Sequence, residues 1–310
     1  MTKQHMVTLL DVTARDGLQN ESARLSTTQK IELINRAVES GARRLEVASF
    51  AHPKYVPQMA DAEAVIAGLP SERDGIEYIG LVMNDRGLDR ALESGIREVG
   101  IVAVATDTFA DRNQGQTRQG TVDAGIAMIN RAKAAGLRAN VTISATFGCP
   151  FEGEVDPSVV IEMAKALAQA EPREIAIADT IGVADPFAVR SMIRDLKEAL
   201  PDMPLRAHFH NTRNTALANV FVAIEEGVHV VDGSLGGIGG CPFAPAATGN
   251  VPSEDVAYML QRMGVDTGYN LSKTVDTVRW LSTIMNKSLP GAVSRAGLFP
   301  TDQSQAAAAA

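Results

Sequence analysis

The sequence predicts an α/β fold: one (β/α)8 TIM barrel with a short C-terminal helical extension. Three observations carry that prediction. Strand-like apolar runs recur eight times in 310 residues, each followed by a helical pattern. The runs are near-continuous rather than alternating, as strands covered on both faces must be. No Gly-x-Gly-x-x-Gly turn follows the first run, where an open dinucleotide-binding sheet would carry one. Eight such units in series close into a barrel. The barrel and its C-terminal helices are assigned to residues 1–290, and residues 291–310 to a disordered tail.

In chain order the predicted strands are Met6 to Val12, Arg44 to Ala48, Tyr78 to Met83, Glu98 to Val104, Ala139 to Ala145, Glu174 to Ala178, Leu205 to His210 and Val228 to Asp232. Helix starts carry their own signals. Ser26 with Gln29 makes a capping box, and Asp156-Pro157 and Asp185-Pro186 each pair an N-cap acceptor with proline at the first helical position. Gly41, Gly95, Gly136 and Gly227 each end a helical run just before the next strand. After Val251 two further helices are predicted, Ser253 to Met263 and Leu271 to Met285. From Leu298 onward nothing buries a face.

Composition bounds the function. A net charge of −8 with no basic block argues against nucleic acid or an anionic membrane as partner, and no apolar run reaches membrane-span length. The two cysteines, Cys149 and Cys241, each lie between glycine and proline, which is no disulfide framework and suits a reducing compartment. The first strand begins almost at once, so no targeting peptide is expected and the chain reads as cytoplasmic.

In a barrel of this kind chemistry sits at the C-terminal ends of the strands. Strand seven ends Arg206-Ala207-His208-Phe209-His210, and alternation turns both imidazoles to one face as a chelating pair. Strand one runs into Arg15-Asp16, strand two carries Glu46 and runs into Ser49, and strand six ends at Asp179-Thr180. Asp16 and the amide oxygen of Asn250 would complete a mixed nitrogen and oxygen site. Such a site suits Mg²⁺, Mn²⁺ or Co²⁺ better than a closed structural zinc and leaves two positions for a substrate. The plainer alternatives are a turn acid at Asp16 and buried structural networks at Glu46 and Asp179. Cys149 is read as structural, and His5, His52 and His229 have no partners in the pattern.

Four segments resemble the 3-hydroxy-3-methylglutaryl-CoA lyase family. They are Arg15-Asp16-Gly17-Leu18-Gln19-Asn20-Glu21; Ser49-Phe50 with Pro53 to Asp61; Gly148-Cys149-Pro150-Phe151-Glu152-Gly153 with Asp179-Thr180-Ile181-Gly182; and the span from His208 to Asn250, which includes Gly239-Gly240-Cys241-Pro242. The resemblance implies a divalent cation, Mg²⁺ or Mn²⁺, bound by Asp16, His208, His210 and Asn250, with Glu254 a supporting acid behind the ligands. It implies catalytic roles for Arg15, Cys241 and Asp179, and substrate contacts from Arg15, Gln19, Glu46 and Ser49. It further implies cleavage of 3-hydroxy-3-methylglutaryl-CoA to acetyl-CoA and acetoacetate, the chemistry of leucine degradation and ketone body metabolism. An acyl-CoA is the expected partner, and a homo-oligomer, dimer or higher, the expected assembly.

The sequence departs from the family pattern at Asn211-Thr212-Arg213-Asn214, at Val12-Thr13-Ala14, at Ser22 and at Ala51-His52. Arg213 places an added charge beside the metal face, where it would pair with a differently placed substrate carboxylate. The alternatives are therefore the same cleavage on another 3-hydroxyacyl-CoA acid, a condensing synthase, a metallohydrolase, and a silent acyl-CoA-binding barrel.

Overall fold

The computed structural model describes residues 6–72, 75–240 and 249–299. Strands β1 (Thr8–Asp11), β2 (Arg44–Ser49), β3 (Glu77–Val82), β4 (Glu98–Val104), β5 (Arg138–Ser144), β6 (Ile175–Asp179), β7 (Leu205–Phe209) and β8 (Val230–Gly233) pair in parallel in chain order and form a closed barrel. Closure is made by β1 on β8, from Thr8 opposite Val230 to Asp11 opposite Gly233. All eight predicted strands are present, with ends shifted by at most two residues. No helix among the described residues is long and apolar enough to cross a membrane.

The helices start and stop where local chemistry dictates. Ser26 Oγ accepts the Gln29 N–H while Gln29 Oε1 accepts the Ser26 N–H, the reciprocal box the sequence predicts. Asp156 and Asp185 cap the helices that follow them, each with proline at the first position. Gly41, Gly95, Gly136 and Gly227 all have positive φ.

Three features differ from the sequence reading. A one-turn π-helix, Thr13–Gly17, follows β1 directly. Two helices, Asp107–Gln114 and Arg118–Ala134, join β4 to β5, and the first covers one side of the barrel mouth. A helix at Ala292–Ala296 lies inside the segment assigned to the tail. Its first N–H groups, on Ala292 and Val293, donate to Asp255 at 2.9 and 2.7 Å. That cap comes from far upstream in the chain, so local pattern could not show it. Residues 300–310 lie outside the described residues.

Charged and polar side chains form a network inside the barrel. Near the strand N-termini Arg44 donates to Glu98 at 2.7 Å and to Glu174 at 3.1 Å. One layer up, Arg206 donates to Asp232 at 2.9 Å, to Asn140 at 3.1 Å and to Thr142 at 3.0 Å. All of these except Thr142 are buried, and such charges persist only when paired. On β4 to β6 the residues facing the lumen are small: Gly100, Val102, Thr142, Ser144 and Ala178. Bulky side chains usually fill these layers. Here a cavity open to solvent at its mouth takes their place.

Candidate functional site

Alternation along β7 turns His208 and His210 into the lumen with ring centroids 5.1 Å apart. The π-turn brings the third group. Its wider turn, closed by the Gly17 N–H on Val12 O at 3.0 Å, lets the consecutive residues Arg15 and Asp16 both face the cavity. Asp16 Oδ2 stands 3.9 Å from His208 Nε2 and 3.7 Å from His210 Nε2. These separations are too long for hydrogen bonds, and the ligand atoms of all three residues lie within 4.8 Å of one another. Donors that converge without bonding one another are the arrangement a divalent ion requires.

The surrounding groups fit an ion. His208 Nδ1 is 3.0 Å from Asp232 Oδ2, so Nδ1–H donates and the Nε2 lone pair faces Asp16. Asn250 donates its amide N–H to Asp16 Oδ2 at 2.7 Å and to Ile238 O at 3.1 Å, which fixes the amide's orientation. Its Oδ1 is buried and accepts no hydrogen bond among the described residues. Gly239 completes this corner with φ +108°; a Cβ there would stand 2.6 Å from Asn250 Nδ2.

Electrostatics sets the protonation states. Burial opposes ionisation of Asp16, but the neighbouring charges of Arg15, His208 and His210 overcome it and hold its pKa down to about 2. Burial, with repulsion from His208, pulls His210 down to about 4, which leaves its nitrogen lone pair free at neutral pH. For His208 burial again disfavours the charge, yet the hydrogen bond and charge of Asp232 and the charge of Asp16 outweigh it and raise the pKa. Arg15 donates through Nε to Glu46 at 2.6 Å and through Nη1 to Asp16 at 2.7 Å, so the fork is locked in one orientation.

The structure brings together Arg15, Asp16, Gln19, Glu46, His208 and His210 on one cavity, with Asn250 bonded to Asp16. Gln19 Oε1 is buried there and accepts no hydrogen bond among the described residues. Other predicted residues fall elsewhere. Ala178 and Thr180 line the cavity, so Asp179 between them points away, and its two oxygens accept the Val183 and Ala184 N–H groups at 2.9 and 3.0 Å. Ser49 is buried and accepts the Ala51 N–H at 3.2 Å, off the cavity wall. Glu254 accepts the Gly236 N–H at 3.0 Å, so it braces the glycine turn rather than a ligand. Arg213 does not face the cavity; its guanidinium donates to the carbonyls of Ile181 and Gly182, both at 3.0 Å, and ties down the loop after β6. Cys241 lies outside the described residues. Cys149 is structural, accepting from Thr106 Oγ1 at 3.1 Å.

Sequence reasoning missed Asp232, Arg206 and the wall formed by Leu81, Met83, Val102, Val104 and Phe109. Asp232 was within reach. An acid near the C-terminal end of the strand beside a His-x-His strand is a natural partner for the inner imidazole nitrogen.

Comparison with known proteins gives one consistent result. The family model described as HMGL-like matches residues 6–281. A hydroxymethylglutaryl-CoA lyase from Bacillus subtilis is 39% identical over 284 residues, covering 92% of this chain and 95% of that protein. An (R)-citramalyl-CoA lyase from Chloroflexus aurantiacus is 39% identical over 301 residues, covering 94% of this chain and 95% of that protein. The crystal structure of an HMG-CoA lyase from Bacillus subtilis superposes with a TM-score of 0.90 at 37% identity, covering 94% of this chain and 97% of that one.

Proposed function

The chain belongs to the HMGL-like family, and from that premise we propose that it cleaves 3-hydroxy-3-methylglutaryl-CoA between C2 and C3 to give acetyl-CoA and acetoacetate. It is a carbon–carbon lyase. The observation that carries the reading is the convergence of Asp16, His208 and His210 beside the locked guanidinium of Arg15. We propose Asp16, His208, His210 and Asn250 as the holders of a divalent ion, Mg²⁺ or Mn²⁺, since hard oxygens and imidazoles together suit these ions.

When bound there, the ion supplies Lewis acidity to the C3 hydroxyl. The residues of the chain do the rest. The C3 hydroxyl loses its proton, the C2–C3 bond pair moves onto the thioester, and C2 takes up a proton. Arg15 donates to the thioester oxygen as negative charge builds on it, and Glu46 keeps the fork aimed. Asp232 holds His208 in the tautomer that presents Nε2. For proton exchange the sequence offers Asp179, His208 and Cys241. Asp179 has both oxygens committed to backbone N–H groups, and both nitrogens of His208 are committed, one to Asp232 and one to the ion site. We propose Cys241 for the exchange, the role the family resemblance implies for it. Its neighbour Gly240 lines the cavity and is fixed there by Asn20 Nδ2 on its carbonyl at 2.8 Å.

The test is product identification. Purified protein given 3-hydroxy-3-methylglutaryl-CoA with Mg²⁺ or Mn²⁺ should release acetyl-CoA and acetoacetate in equal amounts, with none after chelation and none from His208→Ala. Absence of both products from protein that binds the ion refutes the reading.

A further inference from the structure

The loop after β6 is held mainly by side chains. Its N–H groups at Val183 and Ala184 donate to the Asp179 carboxylate, and the Ala184 carbonyl accepts Asn219 Nδ2 at 3.0 Å. The carbonyls of Ile181 and Gly182 both accept Arg213 Nη1 at 3.0 Å. These side chains supply the partners that backbone groups need once a strand has ended. Asp179 and Asn219 are buried, whereas Arg213 is exposed and acts as the outer clip of the loop.

The clip governs one stretch of the cavity. Gly182 turns with φ +64°, and a Cβ there would stand 2.9 Å from His210 O and 2.9 Å from Thr212 N, so the loop lies directly on the chain leaving β7. Thr180 opens the loop and lines the cavity. Its Oγ1 accepts the Ala145 N–H at 2.9 Å, which leaves its own proton to donate to an oxygen of a bound ligand. Ala145 is wholly buried just after β5 with φ +58°, a left-handed conformation that a residue with a Cβ keeps only while its surroundings fix it. Its neighbour Ser144 also lines the cavity. Displacing the loop therefore moves Thr180 and releases Ala145, and the wall from Ser144 to Thr180 shifts with them.

The metal donors are insulated from this movement. The His210 N–H donates to Asp179 O at 3.2 Å, the Val251 N–H to Phe209 O at 3.1 Å and the Asn211 N–H to Gly249 O at 2.9 Å. The end of β7 is thus pinned by backbone pairs in which Arg213 takes no part.

Resting on the lyase reading, we propose that Arg213 is a positioning residue for substrate binding. By holding the turn at Ile181 and Gly182, it keeps the Thr180 hydroxyl and the Ser144 edge of the cavity in place for the acyl group. Its own side chain stays outside the cavity and acts through the loop.

The experiment compares Mn²⁺-loaded wild type, Arg213→Ala and Arg213→Lys. It measures kcat and KM for 3-hydroxy-3-methylglutaryl-CoA, and the Kd of 3-methylglutaryl-CoA, which lacks the C3 hydroxyl and cannot be cleaved. Amide hydrogen exchange at Val183 and Ala184 reports on the loop itself. Arg213→Ala should raise KM and the analogue Kd together by roughly 5- to 10-fold, the scale of one lost hydrogen bond. Both amides should exchange faster, while kcat and Mn²⁺ affinity stay within about twofold of wild type. Arg213→Lys keeps a charged donor, should recover part of the binding, and covers the case in which the alanine variant does not fold. Adding Arg213→Ala to Thr180→Val should cost little beyond Thr180→Val alone, because both act on one contact. An unchanged KM and analogue Kd in Arg213→Ala, or full additivity with Thr180→Val, overturns the positioning role and leaves the lyase reading standing. Wild-type protein that cleaves nothing overturns the lyase reading and this inference with it.

Discussion

Asp232 on β8 holds His208 on β7 through an Nδ1 to Oδ2 hydrogen bond of 3.0 Å, and the same oxygen accepts from Arg206 at 2.9 Å. The imidazole is thus anchored to a charged network that continues through Glu174, 3.2 Å from Arg206 Nε, to Arg44. Replacing Asp232 by Asn keeps the shape but weakens the anchor. Ion affinity should fall about 10- to 100-fold. Titration of metal-free protein with Mn²⁺ measures it, and an affinity equal to wild type would show that Asp232 does not orient His208.

Arg15 bridges Glu46 and Asp16 with a fork that lysine cannot reproduce. Arg15→Lys and Arg15→Gln should each lower kcat by roughly 10²- to 10³-fold, the usual loss when a donor to a developing oxyanion is removed. Ion affinity should change far less. A loss confined to KM would place Arg15 in ground-state binding instead.

Gly239 tolerates no side chain, because its φ is +108° and a Cβ would meet Asn250 Nδ2 at 2.6 Å. Gly239→Ala should therefore displace Asn250 and weaken ion binding, with about 1–3 kcal/mol of strain in the folded state. Calorimetric titration and thermal melts of the same sample separate the two effects.

Stability should fall as pH rises through the neutral range. Burial raises Glu254 from 4.5 to about 8 and Asp11 from 3.8 to about 7, so the folded state keeps protons that the unfolded chain releases. The stability these groups contribute is complete below about pH 4 and is lost as pH climbs through the folded-state values, on the order of 5 kcal/mol for each at most. Glu254→Gln removes one of these titrations. Its unfolding free energy, measured by urea melts at pH 5 and pH 8, should vary less with pH than that of wild type; an unchanged slope would mean that Glu254 is ionised in the fold.

Much of this architecture is legible in the chain because local rules and global fold agree. The apolar runs, the Ser26 box and the proline-marked helix starts are short-range signals, and each appears in the structure. Asp16 and the histidine pair could be grouped because closure of β1 on β8 brings the strand-one turn beside β7. Other features depend on geometry that sequence does not carry. Asp179 looks catalytic at a strand end, yet the period of two that puts Ala178 and Thr180 in the lumen turns it outward. Arg213 looks like a charge beside the metal, but long side chains go where acceptors are, and the carbonyls of Ile181 and Gly182 are within reach. The apolar wall could not be read at all, since Leu81, Met83 and Phe109 come from separate segments whose meeting depends on the closed barrel.

The most direct test of the account is a single titration of metal-free protein with Mn²⁺ in the presence of 3-hydroxy-3-methylglutaryl-CoA, following bound ion by electron paramagnetic resonance and acetyl-CoA release together. Activity should rise in proportion to occupancy and saturate at one ion per chain, and Asp16→Asn should lower both signals. Full activity in the chelated protein, or an ion bound at unchanged affinity in Asp16→Asn, would contradict the assignment of Asp16, His208 and His210 as the centre of this site.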